Sequence, residues 1–266
     1  MHDHGMPMAD PLVTTVGLGG LVVAFLAAYV ALVVAGARRG RAWPWWRTVC
    51  AVAGTLAVLV AVGPIGLAGH HDFVVHMWGH LLLGMLGPLL LVLSAPVTVA
   101  LRGLSAPRAR RLSGALSWPY VRFVAHPVTA AVLDVGGLWL LYTTPLHGWM
   151  HASTLGHLVV HTHVLLAGWV FAAAILQVDP APHPYSHHYR AVVLVAFMAA
   201  HGILCKVIYA HPPTGVPVAQ AESGAQLMFY GGDYIDVVLI ALFCLDWYRR
   251  TAPAAPAHAG VVASAA

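Results

Sequence analysis

The chain has 266 residues, of which 60% are hydrophobic and only 8% charged, and its formal net charge is +4. Soluble domains carry about 25% charged residues, so this composition excludes a water-facing globule of such length and leaves lipid as the solvent. The basic residues form no run interleaved with aromatics, which argues against nucleic acid, and Cys50, Cys205 and Cys244 are too far apart in sequence for a CxxC pair or a disulfide framework.

In chain order, residues 1–11 form an extracytoplasmic His/Met-rich segment with His2, His4, Met6 and Met8, a soft set of side chains that suits metal capture. It lacks a basic n-region, and the apolar stretch that follows is too long for a signal-peptide core, so that stretch is read as a retained helix. A bilayer crossing needs about 20 apolar residues, and such stretches are predicted at 12–36, 48–67, 75–101, 124–144, 155–176, 190–210 and 226–248. The expected architecture is all-α: a polytopic membrane helix bundle with seven transmembrane helices in residues 12–248. Pro88 and Pro96 predict kinks in the third span. Residues 249–266, rich in Ala and Pro, are expected to form a disordered cytoplasmic tail.

Arginine placement orients the bundle. Arg38, Arg39, Arg41 and Arg47 fall between spans one and two, and Arg102, Arg108, Arg110, Arg111 and Arg122 between spans three and four. Arg190 opens span six, and Arg249 and Arg250 follow span seven. Twelve of the thirteen basic residues therefore share one side, which the positive-inside rule makes cytoplasmic, with the N-terminus outside and the C-terminus inside.

Depth then follows for each polar residue in a span. His76 and His80 open span three, His157, His161 and His163 open span five, and His201, Cys205 and Lys206 lie in the outer half of span six. Asp134 lies near the middle of span four, and Asp233 and Asp236 two to three turns into span seven. At 1.5 Å per residue all fall within roughly 15 Å of the outer surface. Ionisable groups at such depth face the bundle interior and mark functional sites. Three pairs, His76/His80, His157/His161 and His201/Cys205, are spaced i,i+4 and so share a helix face. Two imidazoles one turn apart can hold one metal ion; imidazole suits copper, zinc or iron, and thiolate or thioether sulfur nearby favours Cu(I). Asp72 extends the first face if the helix starts early enough. Asp134, Asp233 and Asp236 are placed to orient ligand histidines or to neutralise Lys206. A single membrane histidine such as His126 also reads as an interhelical packer, Cys205 as a small apolar residue, and Lys206 as a snorkelling side chain. His183, His187 and His188 fall in a cytoplasmic loop and join no outer site.

Span three reads HMWGHLLLGMLGPLLLVLSAPVTVALR, and the later segments include HPVTAAVLDVGGLWLLYTTPLHGWMH, AAHGILCKVIYAHPPTGVP and GAQLMFYGGDYIDVVLIALFCLDWY. From about His70 to Tyr248 the chain resembles the polytopic CtaG family of bacterial cytochrome c oxidase assembly factors, which is distinct from the single-span copper chaperone of the same name. The resemblance implies a multi-pass protein of the bacterial cytoplasmic (inner) membrane, partnered by cytochrome c oxidase subunits and acting in copper insertion. It points to His76, His80, His157, His161, His201 and the span-seven aspartates as the polar core. Gly79 stands where members often carry glutamine. The reading that results is a metallochaperone rather than an enzyme: copper bound by His76, His80, His157 and His161, with His201 and Cys205 as further ligands, and handed to the oxidase. A b-type haem between facing histidines, a metal or proton transporter, and a purely structural oxidase partner are the alternatives.

Overall fold

The computed structural model describes residues 11–69, 71–180 and 184–252, and every regular element among them is helical. The His/Met segment up to residue 10, His70, His183 and the tail from residue 253 lie outside the described residues.

Among the described residues, six helices are long and apolar enough to cross a membrane. These are α1 (Pro11–Ala37), α2 (Trp45–Ala68), α3 (Phe73–Gly103), α8 (Thr154–Leu176), α9 (His187–Ala210) and α10 (Val218–Thr251). A shorter apolar helix, α6 (Pro127–Thr143), has 17 residues, about 26 Å at 1.5 Å per residue against a hydrocarbon core of roughly 30 Å. It starts later than the sequence suggests because Pro127 sets the first turn. The last helix begins at Val218, eight residues before the predicted start at 226, because Pro217 rather than the end of the apolar run nucleates it. Three short helices complete the described residues: α4 (Ala106–Leu116), α5 (Pro119–Val124) and α7 (Leu146–Ala152).

Helix α3 is central. It packs against α1, α2, α8 and α10, while α8 packs against α1, α3, α6 and α7. The approach of α3 to α8 is set by two glycines: a Cβ placed on Gly168 would lie 2.0 Å from the Gly84 carbonyl oxygen. Small residues at such crossings let membrane helices meet backbone to backbone.

Of the kinks expected at Pro88 and Pro96 in the third span, the break at Pro96 is present and Pro88 lies just past a widened turn; α2 carries a further kink, at Pro64, that was not among them. Pro64 lies in a widened turn, Ala61–Ile65, of α2, and the Val62 carbonyl exposed there accepts a hydrogen bond from Thr15 Oγ1 at 2.6 Å. In α3 a second widened turn, Leu81–Leu86, follows His80 directly; such turns cluster at functional sites. Further along, α3 breaks at Ala95, a fully buried residue at φ 52° that precedes Pro96. Proline drives its predecessor out of the helical region, and the amides freed beyond it are collected by Asp179 from the loop after α8. Asp179 accepts from Val97 N at 3.1 Å, Thr98 N at 2.7 Å and Thr98 Oγ1 at 2.6 Å.

The arginines gather at one end. Arg39 donates to the Gly103 carbonyl at 2.7 Å and Arg41 to the Arg102 carbonyl at 2.8 Å. At the same end Arg190, only 1% exposed, donates to the carbonyls of Ile175 and Tyr185 and approaches Asp246 at 3.8 Å. This network also takes in His187, 3.2 Å from Asp246, and His188 packs edge-on against Trp247. These two histidines therefore serve the far end of the bundle.

Candidate metal centre

The opposite end holds the histidines. Asp72 starts α3 by accepting from Val74 N at 2.8 Å and Val75 N at 3.1 Å. Its carboxylate is thus engaged in capping and does not extend the His76/His80 face. One turn on, His76 Nε2 and the Tyr142 hydroxyl are hydrogen-bonded at 3.1 Å. The His76 ring also meets His147 and His151, with centroids 5.7 and 5.8 Å apart. From α8, His157 and His161 stack with centroids 3.9 Å apart. His157 Nδ1 is hydrogen-bonded to Thr14 Oγ1 of α1 at 2.8 Å. His161 Nδ1 donates to the His157 carbonyl at 2.8 Å, which fixes the tautomer and places the lone pair on Nε2, the nitrogen suited to a metal.

These residues enclose one cavity of about 30 Å³, lined by His76, His80, His151, His157, His161 and Tyr142, with the buried Met150 in the wall. That volume holds one or two waters, or a single ion. An outer vestibule of about 290 Å³, lined among others by His71, His147, His151 and Gln220, shares the His151 side chain with it. Imidazole nitrogens with a thioether nearby form a donor set suited to copper. Among the described residues, no three His, Cys, Asp or Glu side chains close around one point as a finished metal shell. The arrangement is a histidine-lined chamber, not a preformed tetrahedral site.

Four of the predicted ligands, His76, His80, His157 and His161, thus line one cavity. His201 does not reach it; it faces His80 from α9 with ring centroids 6.2 Å apart. Cys205 lies in the apolar cluster with Leu204, Met228 and Leu141, where a thiol behaves as a small hydrophobe. Asp134 and Asp236 line a second cavity of about 30 Å³ with Met85 and Phe197, and Asp233 is exposed. Lys206 is exposed, its ammonium 6.0 Å from the Phe229 ring. His163 turns away, its Nε2 donating to the Leu133 carbonyl at 2.9 Å. The residues that sequence reasoning left outside the site are His147, His151, Tyr142 and Thr14. His147 and His151 carry a signal that went unused, the same i,i+4 spacing, here on the short helix α7. His147 lies outside the spanning helices, and burial holds its imidazole down to about 4, so it is neutral near pH 7.

A model of the cytochrome c oxidase caa3 assembly factor family, Caa3_CtaG, matches residues 27–250. The chain belongs to that family. Among the relatives of this Caa3_CtaG protein, an uncharacterised protein of Mycobacterium leprae (strain TN) is 35% identical over 192 residues, covering 69% of this chain and 29% of that protein. An uncharacterised protein of Mycobacterium bovis (strain ATCC BAA-935 / AF2122/97) is 35% identical over 194 residues, covering 70% of this chain and 29% of that protein. The chain therefore spans under a third of the length of these curated relatives. No solved structure matches it significantly.

Proposed function

We propose that this assembly factor takes up copper at the outer end of its bundle, holds it in the five-histidine cavity and passes it to a subunit of cytochrome c oxidase. The carrying observation is that His76, His80, His151, His157 and His161 line one chamber the size of a single ion. In this reading α6 crosses the bilayer as a seventh span, with α5 and α7 lying at its two ends. The arginine end faces the cytoplasm, the histidine end faces outward, and the membrane is the bacterial cytoplasmic membrane. Copper is cargo, and the step is ligand exchange between proteins rather than catalysis. The vestibule of His71, His147 and His151 is the entrance, and the incomplete shell suits release, because a chamber that offers donors without closing around the ion lets a partner's ligands replace them one at a time. A haem occupant is disfavoured by size, since pockets for ligands of that class measure about 300 Å³ or more.

The test is copper retention. The full chain, purified in mild detergent and offered Cu(I), is desalted and its metal measured beside its visible spectrum. His157→Gln with His161→Gln is expected to lose the cavity's copper while keeping the unfolding temperature within a few degrees. Undiminished copper in that variant, or a Soret band in the parent protein, refutes the reading.

A further inference from the structure

Buried polar atoms are nearly always hydrogen-bonded, and exceptions call for an explanation. His80 and His201 both break this rule. They are 7% and 4% exposed, and the Nε2 of each is enclosed without a hydrogen-bond partner. They come from different helices, α3 and α9, and their rings lie 6.2 Å apart between centroids at an interplanar angle of 21°. That separation is too long for stacking contact. Two imidazoles that grip one ion with metal–nitrogen bonds of about 2 Å place their ring centres about 6 Å apart.

Two further features surround the pair. Met85, one turn past His80 and Leu81 on α3, reaches the same point of α10 as His201: a Cβ on Gly232 would lie 3.0 Å from His201 Cε1 and 3.7 Å from Met85 Cε. Met85 also lines the cavity of Asp134 and Asp236. Both carboxyl groups are buried, and no Lys or Arg pairs with either among the described residues. Buried acidic groups in a bilayer ordinarily pair with a cation or line an ion path.

We propose that His80 and His201 form a second, two-coordinate site for Cu(I), one step inward of the five-histidine cavity, with the Met85 thioether beside it and the cavity of Asp134 and Asp236 adjoining that thioether. His80 is the hand-over residue, because it belongs to the wall of the outer cavity and also faces His201. A monovalent soft ion is the class of cargo that fits: imidazole and thioether favour Cu(I), and Cu(I) accepts two nearly linear nitrogen donors, whereas Zn²⁺ demands four ligands. Transfer from the outer cavity is ligand exchange with no change of oxidation state. This inference rests on the outer cavity being a copper site.

The experiment uses Ag(I), a redox-inert stand-in for Cu(I), with the full chain in lipid nanodiscs, and counts bound silver per chain after desalting. The parent protein is expected to hold two ions, His201→Gln one fewer than the parent, and His201→Cys, which returns a soft donor, the parent count. Unfolding temperatures of both variants establish that the bundle is intact. A His201→Gln protein that keeps the parent count overturns the proposal and assigns the unpaired nitrogens to bridging water. Failure of His201→Cys to restore the ion overturns it as well, since a packing role predicts that pattern. The outer reading fails separately: if the parent binds no silver, both fall. If the His157→Gln/His161→Gln protein loses an ion while His201→Gln loses none, the outer cavity stands and the inner site falls.

Discussion

Replacing Gly168 with alanine tests the crossing on which the whole site depends. The added Cβ would sit 2.0 Å from the Gly84 carbonyl oxygen and 3.2 Å from Pro88 Cγ, and contacts under 3.0 Å do not occur in real structures. The obstacle is backbone, so no rotamer change relieves it, and α3 and α8 must part by about 1 Å. Overpacking costs about 1–3 kcal/mol where side chains can yield; here backbone meets backbone, and about 3 kcal/mol is expected. For a chain of this size each kcal/mol moves the unfolding temperature by about 2–4 °C, which gives a fall of about 6–12 °C, read by detergent-phase thermal unfolding. Because α3 carries His76 and His80 and α8 carries His157 and His161, the same 1 Å opens the chamber, and copper retention should fall in parallel. Gly20→Ala is the control: nothing lies within 4 Å of its added Cβ, and alanine is the better helix former by about 1 kcal/mol. An unfolding temperature for Gly168→Ala within 2 °C of the parent would refute the backbone crossing and with it the placement of the two histidine pairs in one wall.

Two other perturbations follow from local chemistry. Asp179→Ala removes the carboxylate that collects the Val97 and Thr98 amides, and since cap removal costs about 0.5–2 kcal/mol, a drop in unfolding temperature of a few degrees is expected, with Asp179→Asn intermediate. Burial lowers the His147 imidazole from 6.5 to about 4, so the folded chain favours the neutral ring. Its contribution to stability is complete above pH 6.5 and is lost as pH falls from 6.5 towards 4, at about 1.4 kcal/mol per unit. An unfolding-temperature profile between pH 7.5 and 4.5 should flatten in His147→Gln, and a profile unchanged by that substitution would contradict the assignment.

The all-helical architecture and six long apolar helices were legible because lipid leaves so few solutions: long apolar runs must be helices. Helix ends were less legible, since Pro127 and Pro217 rather than hydropathy decide where α6 and α10 begin. Within the site, i,i+4 spacing correctly put His76 with His80 and His157 with His161 on shared faces. Spacing says nothing about which face meets which neighbour, so His201 was grouped with the rest although it meets only His80, and Cys205 was grouped with His201 although it packs among leucines. Asp72 joins the His76/His80 face only if the helix begins before it, and hydropathy does not locate that start; Asp72 instead caps α3. His147 and His151 read only as histidines of an outer loop because α7 is too short to announce itself in an apolar profile, yet it folds back over the mouth of the chamber.

The grip of Asp179 on the restarted end of α3 has a mechanical meaning. It clasps the far end of α3 to the loop leaving α8, while the Gly84–Gly168 contact lies between that clasp and the histidines. Two rods clasped at one end and touching partway along behave as a pair of tongs. The jaws are the histidine faces, one turn above Gly84 on α3 and two turns above Gly168 on α8, and the handles are the longer arms running down to the break at Ala95 and to Asp179. With the arginine-end tips held together by Asp179 and the shafts in contact at Gly84 and Gly168, the separation of the two histidine faces is set by contacts well below them.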